Sequence, residues 1–123
     1  MSARVLVVDD VLSNVKLLQG RLTAEYFEVM TATNGEEALA VANKSIPDIV
    51  LLDVMMPGMD GPATFQNLRQ LPGLERTPGI FMTAKVMRSE VQRFLEIGAI
   101  GVLAKPFDPM TLSDQLRKIW DDR

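Results

Sequence analysis

Short, almost wholly apolar runs recur along the chain, and each ends at a polar or charged residue. Runs of three or four apolar residues, rich in β-branched side chains, are typical of strands buried on both faces of a parallel sheet. A less uniformly apolar segment between the first two runs also fits a strand. The five predicted strands cover residues 5–8, 27–33, 49–52, 80–82 and 102–104.

Between these strands, apolar residues recur every three or four positions, which predicts helices with one buried face. Asp60 is a plausible N-cap and Gly98 suits a left-handed C-terminal position. Gly20 lies inside the first helix and should cost about 1 kcal/mol relative to alanine. The predicted helices cover residues 12–26, 36–44, 61–70, 89–97 and a final segment that begins at Pro109. We expect the fourth to bury Val91, Phe94 and Leu95, and the fifth Leu112, Leu116 and Ile119.

Alternating strands and helices predict an α/β domain with one parallel sheet covered by helices on both faces. We expect a single doubly wound domain over residues 1–123. In such sheets, ligands bind beyond the carboxyl ends of the strands, where the strand order reverses.

The amino-acid composition excludes several classes of function. The 13 Lys and Arg against 16 Asp and Glu give a net charge of −3 without a basic cluster, which argues against nucleic-acid or membrane-surface binding. The chain has no Cys and no His, which excludes Cys-based zinc sites, Ser-His-Asp hydrolases and phosphohistidine carriers. Since it shows neither a signal-peptide pattern nor an apolar stretch long enough to cross a bilayer, we expect a cytoplasmic protein.

Chemically active residues follow four of the predicted strands. Asp9 and Asp10 follow the first, Asp53 the third, Thr83 the fourth and Lys105 the fifth. Each alone is most often a turn or cap residue, but chance explains the whole set poorly. We therefore expect three carboxylates, a hydroxyl and an ammonium to meet at one edge of the sheet.

This combination indicates phosphoryl chemistry. Crowded carboxylates repel each other unless a cation neutralises them, and an all-oxygen ligand set suits Mg²⁺. A carboxylate can act as a nucleophile and form an acyl phosphate. A lysine ammonium can neutralise the transferring phosphoryl group, and a threonine hydroxyl can hydrogen-bond one of its oxygens.

Four motifs carry a family resemblance. They are Asp9-Asp10, the segment 53–61 (Asp-Val-Met-Met-Pro-Gly-Met-Asp-Gly), Thr83-Ala84 and Lys105-Pro106-Phe107. In order and spacing, and over essentially the whole chain, they resemble the receiver domain of bacterial two-component response regulators. The resemblance implies a flavodoxin-like (CheY-like) fold with strand order 2-1-3-4-5.

The resemblance also implies residue roles. Asp53 would be the phosphoacceptor, and Asp10, Asp53 and the backbone carbonyl of Met55 would bind Mg²⁺, with Asp9 acting mainly through metal-bound water. Lys105 would contact the phosphoryl group, and its bond to Pro106 would be cis. Thr83 would move toward the phosphoryl group on activation, and Ala84 would be small enough to leave access.

By this resemblance the chain is a phosphoacceptor switch rather than an enzyme acting on other substrates. Because the chain lacks histidine, the donor must be external: a sensor histidine kinase, a histidine phosphotransfer protein or a small acyl phosphate. The conformational change would control an effector protein or an output domain. The sequence leaves open the cognate kinase, the target, phosphorylation-dependent dimerisation, and whether the chain is stand-alone, excised or an engineered hybrid.

The chain departs from the family pattern at positions that affect the conformational switch and the lifetime of the phosphoryl group. Many receivers carry an aromatic switch residue where this chain has Val102, which implies another output element or a weaker switch. The positions that tune hydrolysis of the acyl phosphate are Met55 and Lys85. Because methionine cannot position an attacking water, we expect a longer-lived phosphoryl group.

Other interpretations compete with this one. A pseudo-receiver would bind partners without phosphorylation, but it would not need the acidic residues, Thr83 and Lys105. A haloacid-dehalogenase-type phosphatase requires a second Asp two positions after its nucleophile. In this chain the residue two positions after Asp9 is Val11. An FMN carrier requires a hydroxyl- and glycine-rich phosphate loop, which residues 11–14 do not form. A last alternative is a domain whose polar residues at the strand ends only interact with solvent in loops. It does not explain why three carboxylates, a threonine and a lysine would occur together at one site.

Overall fold

The computed structural model describes residues 3–108 and 110–122. Strands and helices alternate along the chain, as the apolar pattern predicts. The strands are β1 (Arg4–Val8), β2 (Glu28–Ala32), β3 (Ile49–Asp53), β4 (Gly79–Thr83) and β5 (Ala99–Ala104). The helices are α1 (Leu12–Ala24), α2 (Gly35–Lys44), α3 (Gly61–Leu68), α4 (Arg88–Glu96) and α5 (Leu112–Asp122).

The strands form one parallel sheet in the order β2-β1-β3-β4-β5, which confirms the predicted fold. Successive side chains of β1 and β3 point to opposite faces, and both faces are covered. Val5 and Val7 pack with α1 and α5, whereas Leu6 and Val8 pack with α2, α3 and α4. Burial on both faces explains why these strands are continuous apolar runs rather than alternating ones.

Three aromatic rings join α3 and α4 to the centre of the sheet. The ring of Phe81 in β4 lies 5.6 Å from that of Phe65 and 4.6 Å from that of Phe94, measured between centroids. The Phe65–Phe81 pair is edge-to-face, an arrangement that the ring quadrupole favours. This packing anchors β4, which ends at Thr83, between α3 and α4.

Some sequence-based boundaries and burial assignments are wrong. The strand β5 begins at Ala99 rather than Val102. The prediction missed its first residues because Gly101 interrupts the apolar pattern. Glycine is required there, since a Cβ atom would lie 2.6 Å from the side chain of Ile119. Leu95, expected in the core, is exposed, because the short helix α4 fully buries only Phe94. The predicted helix start at Pro109 lies outside the described residues.

Candidate functional site at the carboxyl end of the sheet

Four of the predicted site residues, the three carboxylates and the lysine, meet at the carboxyl end of the sheet. One carboxylate oxygen from each of Asp9, Asp10 and Asp53 lies within 4.8 Å of the others. The ammonium Nζ of Lys105 is 2.9 Å from Oδ2 of Asp9 and 2.9 Å from Oδ1 of Asp53. The convergence follows from topology, because β1 and β3 are neighbours at the centre of a parallel sheet.

Asp9 is fully buried and held by three donors. Its Oδ1 accepts a hydrogen bond from the backbone N–H of Val11 at 2.9 Å, and its Oδ2 accepts one from Nδ2 of Asn14 at 3.3 Å. The third donor is the ammonium of Lys105. These bonds fix the carboxylate in one orientation. Sequence reasoning missed Asn14, since a single polar residue in the first turn of a helix carries no signal of its own.

Asp53 is almost as buried as Asp9. Burial raises the pKa of Asp53 from 3.8 to about 6, and the nearby carboxylates of Asp9 and Asp10 act in the same direction. The hydrogen bond and charge of Lys105 oppose this rise only in part. Burial alone would lower the pKa of Lys105, but its bonds to Asp53 and Asp9 outweigh burial and raise it.

The cluster therefore fits a hard divalent cation. Among the described residues, three carboxylates face one ammonium, so the cluster holds more negative than positive charge, and burial of Asp53 makes its charge unfavourable, as its raised pKa shows. All three groups are oxygen donors, which Mg²⁺ prefers. Asp10 is exposed, so the cluster is open to solvent on one side.

The loop after β3 folds back onto the end of that strand. The N–H of Gly61 bonds the carbonyl of Val54 at 3.0 Å, and a Cβ atom on Gly61 would collide with the carbonyl oxygen of Asp53. Asp60 caps α3 by accepting from the N–H of Ala63 at 2.9 Å, which confirms the predicted N-cap. Met55 is 78% exposed in this loop, and the metal-binding role of its carbonyl stays a prediction.

Thr83 is buried at the end of β4, and its hydroxyl is engaged by its own loop. Oγ1 donates to the carbonyl of Lys85 at 3.2 Å and accepts from the N–H of Lys85 at 3.3 Å. The backbone N–H of Lys105 bonds the carbonyl of Thr83 at 2.8 Å, and the bond between Lys105 and Pro106 is cis, as the resemblance implied. Thr83 and Lys105 thus occupy adjacent strand ends.

Comparisons with known proteins agree with this geometry. The model of the response regulator receiver domain family matches residues 5–117. The chain is 48% identical over 119 residues to the response regulator PleD of Caulobacter vibrioides, and 39% identical over 119 residues to the regulatory protein PhoP of Bacillus subtilis. The match covers 97% of this chain in both cases, but only 26% of PleD and 49% of PhoP.

The solved structure of the chemotaxis protein CheY4 of Vibrio cholerae superposes with a TM-score of 0.90 at 35% identity. That match covers 97% of this chain and 99% of CheY4. Among the described residues, no helix is long and apolar enough to cross a membrane. By its sequence and its fold, the chain belongs to the response regulator receiver domain family.

Proposed function

We propose that this chain is a Mg²⁺-dependent phosphoacceptor switch that takes a phosphoryl group onto Asp53 and changes shape to control a partner or output domain. Membership of the receiver family supports a phosphoacceptor role in signalling. The observation that carries the assignment to Asp53 is its position: a buried carboxylate beside two others and 2.9 Å from the ammonium of Lys105. The donor is a phosphohistidine on a sensor kinase or phosphotransfer protein.

The covalent step needs only groups already present and the donor. An oxygen of the Asp53 carboxylate attacks phosphorus and forms an O–P bond, while the P–N bond to the donor imidazole breaks. The departing nitrogen keeps the electron pair. Asp53 must be ionised to attack, and a pKa of about 6 leaves it mostly ionised at neutral pH. The chain catalyses only its own phosphorylation and dephosphorylation.

Asp10, Asp53 and the carbonyl of Met55 would hold Mg²⁺, with Asp9 acting mainly through metal-bound water. The bound ion would neutralise charge on the phosphoryl oxygens. Lys105 begins the reaction paired with Asp9 and Asp53. Once Asp53 becomes an acyl phosphate, its carbonyl oxygen is uncharged, so the ammonium gains most by pairing with a phosphoryl oxygen.

Thr83 is the group best placed to convert phosphorylation into movement. Its two hydrogen bonds to Lys85 are long, so exchanging them for a bond to a charged phosphoryl oxygen is favourable. That exchange would pull the segment between Thr83 and α4. Among the described residues, no side chain caps the start of α4 at Met87, so this end of the helix is free to follow.

Val102 makes β5 a poor transmitter of this change. It is half-buried, packs against the core beside α4 and pairs with Phe81 across the sheet. Valine has no aromatic ring that could move between a buried and an exposed position. We therefore assign the output to the β4–α4 connection and the first turn of α4, rather than to β5.

Acetyl phosphate provides a direct test of the acceptor. The protein is incubated with acetyl phosphate and Mg²⁺ and its intact mass is measured, beside Asp53→Asn and an EDTA sample. We expect one added phosphoryl group in the wild type, and none in the variant or with EDTA. Asp121→Asn, which changes an exposed carboxylate on α5, is the matched control and should label normally. Labelling of Asp53→Asn would overturn the assignment.

A further inference from the structure

Asp9 follows β1, and two of the three donors that hold its carboxylate come from the start of α1. Its Oδ1 accepts a hydrogen bond from the backbone N–H of Val11 at 2.9 Å. Its Oδ2 accepts one from Nδ2 of Asn14 at 3.3 Å and lies 2.9 Å from Nζ of Lys105. Val11 is the N-cap residue of α1, and Asn14 lies in the first turn of the helix. The orientation of this carboxylate therefore depends on α1 as well as on Lys105.

These three donors take up most of the capacity of the Asp9 carboxylate to accept hydrogen bonds. An ionised carboxylate offers about four such positions, divided equally between its oxygens. Asn14 and Lys105 occupy both positions on Oδ2, and Val11 occupies one on Oδ1. Among the described residues, these donors leave the second position on Oδ1 for a water molecule bound to the cation. Asn14 therefore helps to determine which oxygen of Asp9 receives that water.

Asn14 is the donor whose loss would free this carboxylate without removing a charge from the site. Val11 donates through its backbone, and Lys105 carries the positive charge that pairs with Asp9 and Asp53. Because Asp9 has no exposed surface, bulk water cannot simply replace a missing donor. An acceptor left unpaired in the interior is unfavourable, so the carboxylate would turn toward the donors that remain. Without Asn14, we expect the Asp9 carboxylate to take more than one orientation.

The orientation of a carboxylate matters more for Mg²⁺ than for Ca²⁺. Mg²⁺ requires near-ideal octahedral geometry and keeps several bound waters, whereas Ca²⁺ accepts more oxygen ligands in more flexible arrangements. A carboxylate that holds a metal-bound water in one place therefore favours the smaller ion. We propose that Asn14 is a positioning residue that gives the site a preference for Mg²⁺ over Ca²⁺ by fixing the carboxylate of Asp9. This inference rests on the binding of Mg²⁺ in the proposed function.

Binding of the two cations, measured without any phosphoryl donor, tests this inference. MgCl₂ or CaCl₂ is titrated into the metal-free ¹⁵N-labelled protein, and the amide shifts of residues around Asp53 give each dissociation constant. Asn14→Leu should weaken Mg²⁺ binding about tenfold and Ca²⁺ binding only about twofold, since groups that orient metal ligands typically contribute about tenfold or more to affinity. Asn43→Leu, at an exposed asparagine of α2, is the matched control and should bind both ions as the wild type does.

Further variants separate an action through Asp9 from a general disturbance of the fold. In Asp9→Asn, the added change Asn14→Leu should leave the ratio of the two affinities unchanged, because no carboxylate remains to be oriented. Asn14→Ala removes the same donor with a smaller side chain, and it should lower the ratio even if leucine disturbs the fold. An unchanged ratio in these folded Asn14 variants, or a ratio that still falls in the Asp9→Asn background, would overturn this inference alone. A wild type that binds no Mg²⁺ would overturn the proposed function together with it.

Discussion

The ammonium of Lys105 lies 2.9 Å from Oδ1 of Asp53, so the proposed acceptor carboxylate and the cation that would bind its phosphoryl group are already paired. Lys105 makes an equally short contact with Asp9. One ammonium thus serves two buried carboxylates, and it leaves the acidic cluster with an excess of negative charge. This imbalance fits the proposed binding of a cation, and the burial of Asp53 beside these charges has measurable consequences.

The first consequence is a pH-dependent cost in the metal-free protein. Because burial raises the pKa of Asp53 to about 6 in the folded state, the folded protein holds this proton more tightly than the unfolded chain. Below about pH 4 this carboxyl is protonated in both states and does not reduce the free energy of unfolding. As the pH rises through about 6, its ionisation in the folded protein lowers the free energy of unfolding by up to about 3 kcal/mol, at about 1.4 kcal/mol per pKa unit. Urea unfolding in EDTA at several pH values measures it.

Asp53→Asn is the control for that experiment, because asparagine cannot ionise. The difference in unfolding free energy, wild type minus variant, should fall between pH 4 and pH 7. A difference that stays constant, or that rises with pH, would show that burial does not raise the pKa of Asp53.

Lys105→Ala should separate phosphoryl uptake from the shape change. Asp53 remains able to attack acetyl phosphate, so the intact mass should still increase, but more slowly because one source of positive charge is gone. The amide shifts of α4 that accompany phosphorylation should be lost. Lys118→Ala, at an exposed lysine of α5, should respond as the wild type does. A normal α4 response in Lys105→Ala would count against the role given to this ammonium.

The lifetime of the phosphoryl group should depend on Met55. Its side chain is 78% exposed in the loop after β3 and is unable to position water. Met55→Asn should shorten the lifetime roughly tenfold, a small effect beside the hundredfold or more of a full general base. The phosphorylated fraction is followed by intact mass after the donor is removed. Met110→Asn, at another exposed methionine, should leave the lifetime unchanged, and equal lifetimes in all three proteins would refute the prediction.

Two glycines should respond to alanine in opposite directions. Gly20 lies inside α1 and has open space where a Cβ atom would stand, so Gly20→Ala should raise the unfolding free energy by about 1 kcal/mol. Gly98 has φ +108°, and a Cβ atom there would collide with Nη1 of Arg69, so Gly98→Ala should lower it. Urea unfolding of both variants checks the signs, and stabilisation by Gly98→Ala would contradict the steric argument.

The site was easier to predict than the details of packing. Apolar runs located the buried strands, and parallel topology then brought the strand-end residues Asp9, Asp53 and Lys105 together. Periodicity located α4 but placed Leu95 in its buried face, because a helical stripe has no sharp edge. Contacts between distant segments carry no sequence signal: Arg69 donates to the carbonyl of Ile97 at 3.2 Å, 28 positions away.

Amide spectra of the ¹⁵N-labelled protein with Mg²⁺, recorded before and after addition of acetyl phosphate, test the central claim most directly. We predict a second set of peaks for residues around Asp53, for Thr83 and for the first turn of α4, with β5 changing less. These peaks should disappear when the donor is exhausted and should not form in Asp53→Asn. A folded, Mg²⁺-bound protein whose spectrum is unchanged by acetyl phosphate, or one whose Asp53→Asn variant changes equally, would contradict the proposed switch.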